Sequence, residues 1–293
     1  TLFGGSIQLY VPLIQNLTIR HLVTTSSISP FTEVLEDQYG NLYCYWIGQN
    51  TLDVSITYHI LSYSIDFLIN SSLIGDYDKS SVMYREYIQP EEYVESNDPL
   101  IISTAEKIAG KETNPREMAY KIFTFVRKTL RYEAIPENKG SLWALRNGKG
   151  KCAEYAHLFV ALCRAVGIPS RVRTGLVLDY GKTTVEHMWA EYYLENYGWV
   201  PTDPSWRLFD KMDNYHFAFV KNRTALHSGV YIECRFPPLL YAEPEIRSTA
   251  QATKASIDTL KSHTLAQVLY NAISKTQDAD QKVKETPFLS PRE

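Results

Sequence analysis

Apolar and polar residues alternate along the first part of the chain, and this alternation predicts β-strands. Residues 7–11 alternate in this way, and a longer alternating stretch covers residues 52–68. Residues typical of turns separate the stretches, and none of them shows a helical period. We therefore predict a small antiparallel β domain over residues 1–95, with a further strand at residues 82–88.

The pattern becomes helical at residue 98. Asp98 can cap a helix and the proline that follows it fits the first turn, and apolar residues then recur every three or four positions up to Gly110. The asparagine-proline pair at 114–115 gives the same start signal and predicts a second helix to about residue 131. Both helices are expected to cover one core.

A third helix is predicted to begin near Cys152 and to end at Gly167. Three strand-like segments follow at residues 171–179, 187–195 and 198–202, and all three are rich in β-branched and aromatic residues. Helices followed by antiparallel strands indicate an α+β architecture in which the third helix packs on the sheet.

The change of pattern also suggests domain boundaries. We place a second domain at residues 96–242, after the β domain. Residues 243–293 are almost free of aromatic side chains, and we predict one amphipathic helix there, followed by a loose tail.

Length, composition and charge limit the classes of function. The chain has 293 residues, of which 44% are hydrophobic and 22% are charged, as is typical of a globular protein. Its net charge of -3 gives no sign of a nucleic-acid-binding surface. No apolar run approaches the roughly 20 residues that cross a bilayer. We expect neither a nucleic-acid partner nor a transmembrane segment in this chain.

The N-terminus and three glycosylation sequons bear on the location of the protein. The chain begins at Thr1 without an initiator methionine, so we expect that a signal peptide, a membrane anchor or another upstream segment has been removed. Sequons at Asn16, Asn70 and Asn222 matter only in an exported protein. We expect an extracytoplasmic location, either secreted or tethered to a membrane.

The four cysteines are Cys44, Cys152, Cys163 and Cys234. No two of them have the short spacing of a zinc knuckle, and no two histidines form an HxxxH pair. Four cysteines are too few to hold so long a chain together by disulfides, although a Cys44–Cys234 bridge stays open. We expect neither a structural metal nor a cofactor.

Cys152 stands at the start of the third predicted helix, behind the glycine-rich turn at 147–151. A thiolate there faces the unpaired N–H groups and the positive end of the helix dipole, which is worth about 0.3–1 kcal/mol. This is less than the roughly 1.36 kcal/mol that shifts an ionisation tenfold, so a neighbouring imidazolium must complete the activation. The alternative is a small buried side chain, as most free cysteines are.

His187 and Asp203 offer a base and an acceptor later in the chain. Period two places His187, Trp189 and Glu191 on one face of their strand, so the tryptophan partly shields the imidazole from water. Asp203 ends the next strand, where it can accept a hydrogen bond from a histidine on the adjacent antiparallel strand. Taken alone, each residue also fits a core histidine or a turn aspartate. The ordered set of cysteine, histidine and aspartate indicates an activated thiol.

Other side chains near these positions receive secondary roles. Trp143 and Trp189 are candidates for substrate or oxyanion contacts, although packing is the simpler role for Trp143. We expect Cys163 to be a core residue, His157 to pack or lie at the surface, and Glu154 to be solvated. Three arginines could bind acidic substrate groups or support the ends of the sheet and helix: Arg164, Arg171 and Arg173.

Three sequence blocks together resemble the transglutaminase-like superfamily. The blocks are GKGKCAEYA at 148–156, LCRAVGIPSRV at 162–172, and HMWAE at 187–191 with GWVPTDP at 198–204. The resemblance covers about residues 99–205, and its combination of blocks is highly specific. Residues 1–95 also resemble, less specifically, the β domain that often precedes this core in microbial members.

This resemblance implies a papain-like fold, in which the helix of the nucleophile packs on an antiparallel sheet. It carries the nucleophile to Cys152, the base to His187 and the orienting acid to Asp203, and no motif position is lost. The implied reaction is acyl transfer from a peptide or protein amide through a thioester. Hydrolysis is favoured, because members other than the animal cross-linking enzymes mostly have proteolytic or amidase chemistry. Protein cross-linking, de-glycosylation and a non-catalytic binding or scaffold module that keeps the fold stay open.

Overall fold

The computed structural model describes residues 6–14, 21–37, 40–49, 52–62, 64–179, 183–219 and 231–235. The predicted amphipathic helix within 243–293 lies outside these residues. The described part combines helices with antiparallel sheets, as the sequence predicts. Six strands precede the first α-helix: β1 (Ser6–Pro12), β2 (His21–Ser29), β3 (Glu33–Glu36), β4 (Leu42–Gln49), β5 (Ser55–Ser62) and β6 (Ile65–Asp66).

The predicted small antiparallel β region is confirmed. Strand β1 pairs with β4, which in turn pairs with β3, and β2 and β5 form a separate two-stranded ladder. Leu9, Cys44 and Trp46 form the buried centre of this region, since alternate residues of β1 and β4 point to the same side. Cys44 is a buried free thiol, and the side chain of Cys234, its suggested disulfide partner, lies outside the described part of the protein.

Five α-helices follow, with a short 3-10 turn at Ser71–Leu73 before them. The predicted strand at residues 82–88 is wrong, because Val82–Tyr87 forms a helix. The Ser81 side chain caps it by accepting from the Tyr84 backbone N–H at 3.1 Å. The helices are α1 (Val82–Tyr87), α2 (Pro99–Ala109), α3 (Pro115–Thr129), α4 (Gly140–Asn147) and α5 (Cys152–Ala165).

Helices α2 and α3 begin where the sequence predicts. Asp98 accepts a hydrogen bond from the Leu100 N–H at 2.8 Å and so caps α2. Asn114 caps α3 by accepting from the N–H groups of Arg116 and Glu117. These side-chain caps use backbone donors that have no partner within the helix, so a local sequence signal is sufficient to find each start.

Helix α5 lies at the centre of the protein, and every residue from Ala153 to Arg164 is buried. It packs against α2, α3 and α4 on one side and against the main sheet on the other. The nine remaining described strands are β7 (Arg131–Tyr132), β8 (Lys149–Gly150), β9 (Ser170–Asp179), β10 (Thr183–Leu194), β11 (Gly198–Asp203), β12 (Leu208–Phe209), β13 (Lys211–Met212), β14 (His216–Ala218) and β15 (Tyr231–Arg235).

The main sheet is antiparallel, with the strand order β12-β11-β10-β9-β14. Ala190 and Tyr192 of β10 join the core formed with α5, whereas Trp189, next to Ala190 in the chain, belongs to a separate cluster with Met212 and Ala218. The alternation along β10 therefore serves two different packing layers. The predicted α+β class, with the third predicted helix packed on an antiparallel sheet, is confirmed.

Strands from the later part of the chain also pair with the N-terminal strands. Strand β15 pairs with β1 on the side opposite β4, and β13 pairs with β6. These antiparallel ladders place two strands from the later part of the described chain beside two strands from its first part.

Two glycines allow close approaches that position the helix start and the main sheet. At Gly150 an added Cβ would lie 2.3 Å from the Glu154 Cβ, so a side chain at 150 would push α5 away. At Gly175 an added Cβ would lie 2.0 Å from the backbone oxygen of Phe217. Gly175 also pairs with His187 across β9 and β10, so the lack of a side chain there keeps β14 close to β9 beside the histidine.

Candidate active site

Cys152 is the first residue of α5 and is partly exposed. The parallel pairing of β7 with β8 sets Tyr132 opposite Gly150, immediately before the helix. The turn into α5 is further fixed by the Lys151 backbone N–H, which donates to Glu154 Oε2 at 3.1 Å. The thiol therefore stands at a rigid helix start, with the unpaired N–H groups of the first turn around it.

Glu154 is not solvated, so that prediction is wrong. Its side chain is fully buried and accepts hydrogen bonds from the backbone N–H groups of Lys139, at 2.8 Å, and of Lys151. One carboxylate thus ties the start of α4 to the start of α5. Both carboxylate oxygens accept hydrogen bonds next to the turn that carries Cys152, which explains why a charged residue can be buried there.

The structure brings the predicted cysteine, histidine and aspartate together. His187 Nε2 lies 2.6 Å from Asp203 Oδ2, on the adjacent antiparallel strands β10 and β11. The Cys152 side chain lies close enough to the same imidazole to contribute to the raised pKa of His187. Since Nε2 faces the carboxylate, Nδ1 is the nitrogen left for the thiol. His187 and Asp203 are both buried, which shields this row of groups from water.

The surroundings of His187 favour its charged form. Burial lowers the pKa of His187, but hydrogen bonds and negative charge from Asp203 and Cys152 outweigh it and raise that pKa to about 9. Burial acts to raise the pKa of Asp203, but hydrogen bonds from His187 and His216 hold it well below its usual range. At neutral pH the site therefore contains an imidazolium beside a carboxylate.

His216 is a member of this cluster that sequence reasoning did not find. It is fully buried on β14, and its Nε2 lies 3.2 Å from the same Asp203 oxygen that His187 uses. Its Nδ1 lies 2.7 Å from Asp213 Oδ1. In the sheet order β10 and β9 lie between β14 and the strand of Asp203, and no spacing in the sequence signals that His216 reaches this carboxylate.

Asp203 uses both oxygens. Oδ2 faces the two histidines, and Oδ1 accepts from the Ser205 backbone and hydroxyl, at 2.8 and 2.7 Å, and from the Trp206 N–H at 3.0 Å. Ligand-type atoms of His187, Asp203 and His216 lie within 4.8 Å of one another, a grouping that could hold a metal ion. The hydrogen bonds above already account for the arrangement, and we assign no metal to it.

The other predicted candidates occupy packing positions. Trp143 is partly buried against the helical core, and Cys163 is completely buried, as expected. His157 is also buried and stacks on Tyr93 with ring centroids 5.5 Å apart. Trp189 is 1% exposed, lies 6.3 Å from the His187 ring, and has no hydrogen-bond partner for its indole N–H among the described residues.

The arginines that the sequence offered as anion binders are instead engaged in the protein interior. Arg171 and Arg173 both pair with the buried Glu191, at 2.7 and 2.9 Å. Burial acts to raise the pKa of Glu191, but the two guanidinium groups lower it to about 2. Arg164 donates to the Ser170 carbonyl at 2.8 Å. The prediction that these arginines support the sheet and the helix end fits these contacts.

Tyr132 is a second residue near the thiol that the sequence did not reveal. It pairs with Gly150, two residues before Cys152, and its side chain is largely exposed. Burial of the hydroxyl and the nearby Cys152 and Asp203 raise the pKa of Tyr132. An exposed tyrosine in a two-residue strand carries no local signal of function, and only the β7–β8 pairing places it here.

Two cavities in the described part of the protein were compared with the position of the candidate site. The larger, about 500 Å³, is lined by residues around Asp66–Asn70 and Phe209–Lys211 and by none of the three predicted site residues. The smaller, about 260 Å³, contains Tyr132 and the turn after Asp203 in its wall. The smaller cavity is therefore the one beside the candidate site.

Comparison with known proteins supports the fold. Residues 102–204 match the family model described as the transglutaminase-like superfamily. An uncharacterized protein of Haemophilus influenzae is 30% identical over 155 residues, which are 42% of this chain and 40% of that relative's own length. Because the superfamily's members are usually cysteine enzymes, the fold is that of a general cysteine-based catalyst.

One solved structure has a similar architecture. A candidate cysteine protease from Cytophaga hutchinsonii has a TM-score of 0.59 and 16% identity, and the match covers 85% of this chain and 93% of that one. The periplasmic domain of TgpA from Pseudomonas aeruginosa, at 17% identity, covers 69% of this chain and 72% of that one, but its TM-score of 0.36 is too low to carry an argument.

No helix among the described residues has both the length and the apolar character required to span a membrane. The extracytoplasmic location stays a prediction.

Proposed function

We propose that the protein, whose residues 102–204 match the family model of the transglutaminase-like superfamily, is a cysteine-dependent amide hydrolase acting on peptide or protein substrates. The observation that carries the proposal is the contact of the Cys152 side chain with an imidazole whose other nitrogen lies 2.6 Å from a buried carboxylate. This arrangement supplies a nucleophile, a proton donor and an orienting acid at one place.

The first half of the reaction forms a thioester. The Cys152 sulfur attacks the carbonyl carbon of an amide, a C–S bond forms, and the carbonyl oxygen becomes an oxyanion. His187, as an imidazolium, donates its proton to the amide nitrogen while the C–N bond breaks, and the amine leaves. The pKa of about 9 at His187 ensures that this proton is available at neutral pH.

The second half regenerates the thiolate. Neutral His187 accepts a proton from a water molecule, the water oxygen attacks the thioester carbonyl, and the C–S bond breaks to give a carboxylic acid. A primary amine in place of water would give a new amide, which is cross-linking or transfer chemistry. Hydrolysis is the reaction that we favour. Asp203 holds the His187 ring in place through both steps, and His216 orients Asp203 from the other side.

The oxyanion requires hydrogen-bond donors, and the Cys152 backbone N–H is the first of them. The Tyr132 hydroxyl is close enough to this N–H to be influenced by it, so Tyr132 is the side chain that we place next to the oxyanion. Because Tyr132 is largely exposed, its side chain can shift to make room and then donate its own O–H to the oxyanion.

Replacing Tyr132 by phenylalanine is therefore expected to lower kcat about 10²-fold with little change in KM, as for the loss of one oxyanion donor. Steady-state kinetics on a cleaved peptide measures the two constants separately. Tyr120→Phe, at another exposed tyrosine on α3, is the matched control and is expected to behave as the unmodified protein. An equal kcat in Tyr132→Phe would show that the hydroxyl makes no contact with the oxyanion.

Thiol labelling tests the proposed function without a known substrate. At pH 6.5 iodoacetamide is expected to alkylate Cys152 at least about tenfold faster than Cys44 or Cys163. Burial raises the pKa of Cys44 to about 11 and also raises the pKa of Cys163, so both thiols stay protonated. Peptide mapping by mass spectrometry assigns each alkylated cysteine. Slow and uniform labelling would favour the non-catalytic binding or scaffold module.

A further inference from the structure

We propose that the smaller cavity beside Cys152 is a subsite for a negatively charged group of the substrate, such as a carboxylate. This inference rests on the proposed function and adds to it the chemical class of the acyl substrate. The residues in the cavity wall are Arg127, Leu130, Tyr132, Tyr155, Pro204, Ser205 and Arg207.

The cavity has walls close to the predicted site residues. Tyr132 in its wall pairs with Gly150, two residues before Cys152, across β7 and β8. Ser205 in the opposite wall donates to Asp203 Oδ1, and Pro204 follows that aspartate in the chain. A substrate group held in this cavity therefore lies next to the candidate site, although neither Cys152 nor His187 forms part of the cavity wall.

The charge of the cavity wall is entirely positive. Arg127 and Arg207 both contribute guanidinium groups, and no carboxylate lines the cavity. Among the residues that the structure describes, neither guanidinium has an ion-pair partner. The other exposed arginine nearby differs in this respect, because Arg131 pairs with Glu133 at 2.7 Å. Two unpaired guanidinium groups facing one small cavity favour an anion there.

The protein restrains the side chain of Arg127 and the backbone of Arg207. The Arg127 guanidinium lies 5.4 Å from the centre of the Phe123 ring, a cation–π contact that limits its motion. Arg207 has a φ of 63°, a left-handed conformation that is unfavourable for a residue with a side chain. Asp203 fixes this turn by accepting from Ser205 and Trp206, so the carboxylate that orients His187 also positions Arg207.

The size of the cavity indicates the size of the group. Pockets for drug-sized ligands have volumes of about 300–1,000 Å³, and this cavity of about 260 Å³ lies just below that range. It therefore suits one substrate side chain or chain end, held by charge-assisted hydrogen bonds, and not a large ligand. An acidic side chain or a terminal carboxylate close to the scissile amide has this size and charge.

A pair of alkylating agents of nearly equal size tests the inference directly. Iodoacetate carries a carboxylate and iodoacetamide a neutral amide, and with either reagent the thiolate sulfur displaces iodide and forms a C–S bond. The second-order rate constant at Cys152 is measured for both at pH 7 and low ionic strength. The readout is the ratio of the iodoacetate rate to the iodoacetamide rate, divided by the same ratio for glutathione as a reference thiol.

We expect this normalised ratio to be about tenfold above one for the unmodified protein, because two guanidinium groups near a surface each attract a carboxylate modestly. Arg127→Gln and Arg207→Gln should each lower it about threefold, and the double variant should bring it close to one. Arg127→Lys keeps the charge and should keep most of the ratio. Arg85→Gln, at an exposed arginine on α1 outside the cavity, is the control and should leave it unchanged. Added salt of 0.5 M should reduce the ratio towards one.

A normalised ratio near one in the unmodified protein, or a high ratio that survives in the double variant, would overturn the anionic subsite. Either result leaves the iodoacetamide rate at Cys152 as an independent readout of thiol activation. If that rate is no higher than at Cys44, the proposed function itself fails. The two failures are therefore distinguishable in a single set of reactions.

Peptides then identify the source of the negative charge. Among peptides that the protein cleaves, we expect an acidic residue or a free terminal carboxylate within one or two residues of the scissile amide. Replacing glutamate by glutamine tests the side chain, and amidating the terminus tests the chain end. One of these changes should lower kcat/KM about tenfold in the unmodified protein and much less in the Arg127→Gln, Arg207→Gln double variant. Equal losses in both proteins would contradict the assignment.

Discussion

Replacing Cys152 by alanine is expected to reduce peptide hydrolysis to background, because no other described group can form the thioester. The protein is incubated with a mixed peptide pool, with and without a primary amine, and the products are identified by mass spectrometry. New peptide termini are expected with the unmodified protein and none with Cys152→Ala. Cys44→Ala, which removes a buried thiol in the N-terminal sheet, is the matched control and should keep the activity.

The same experiment separates the competing reactions. Incorporation of the amine would identify a transferase and so correct the preference for hydrolysis. Identical product patterns from the unmodified protein and Cys152→Ala would contradict the enzymatic interpretation as a whole. Circular dichroism of both proteins shows that any difference does not come from unfolding. Cys152 is partly exposed and an alanine is a good helix former, so the variant is expected to fold.

Asp203→Asn is expected to have the second largest effect, a loss of about 10²–10⁴-fold in kcat. An asparagine removes the charge that holds His187 as an imidazolium and can turn its amide N–H towards the ring. The effect also has a signature in the pH profile. In the unmodified protein the imidazolium is present below the pKa of about 9 and is lost as the pH rises through it, so kcat/KM should fall above about pH 9.

The fall of kcat/KM at high pH is the basic limb of the profile. Because Asp203 raises the pKa of His187, replacing Asp203 by the neutral asparagine should move this basic limb to lower pH. Asp213→Asn is the matched control, since Asp213 contacts His216 and not His187, and its basic limb should stay near pH 9. A merely structural role of Asp203 would lower the rate without moving the limb. Steady-state kinetics between pH 5 and 10 distinguishes the two cases.

The local sequence was sufficient to predict the helices whose first N–H groups are bound by the residue immediately before the helix. Asp98 and Asn114 bind the backbone donors of the helix that follows them, so the starts of α2 and α3 could be predicted from the sequence. Helix α4 could not be predicted, because its N–H donors are bound by a distant residue. Glu95 accepts from the backbone N–H groups of Ser141 and Leu142, 46 and 47 residues later.

The wrong strand at residues 82–88 has a different cause. The short run of apolar and aromatic residues fits a strand and a helix equally well. Tertiary packing decides, because Tyr84 and Tyr87, three residues apart, are both buried on one side of α1. Glu154 was misjudged for a related reason: its partners, the N–H groups of Lys139 and Lys151, are backbone donors that no side-chain pattern reveals.

The residues of the candidate site also form two groups: those that the local sequence reveals and those that only the fold brings to the site. Cys152, His187 and Asp203 lie in sequence blocks of their own, so their residue types and order could be recognised. His216 and Tyr132 reach the site only through sheet order and a two-residue strand pairing, neither of which leaves a local trace. The sequence therefore predicts the reacting groups, and the structure adds the groups that position and surround them.

The most direct test of the thiol–imidazole contact is the pH dependence of Cys152 alkylation in the unmodified protein and in His187→Gln. A thiol of ordinary pKa, about 8.5, is less than about 1% ionised at pH 6, whereas a thiol paired with an imidazolium is not so limited. We predict that iodoacetamide reacts at pH 6 at least about tenfold faster with the unmodified protein, and that the two rates converge near pH 10. Superimposable pH profiles would contradict the account.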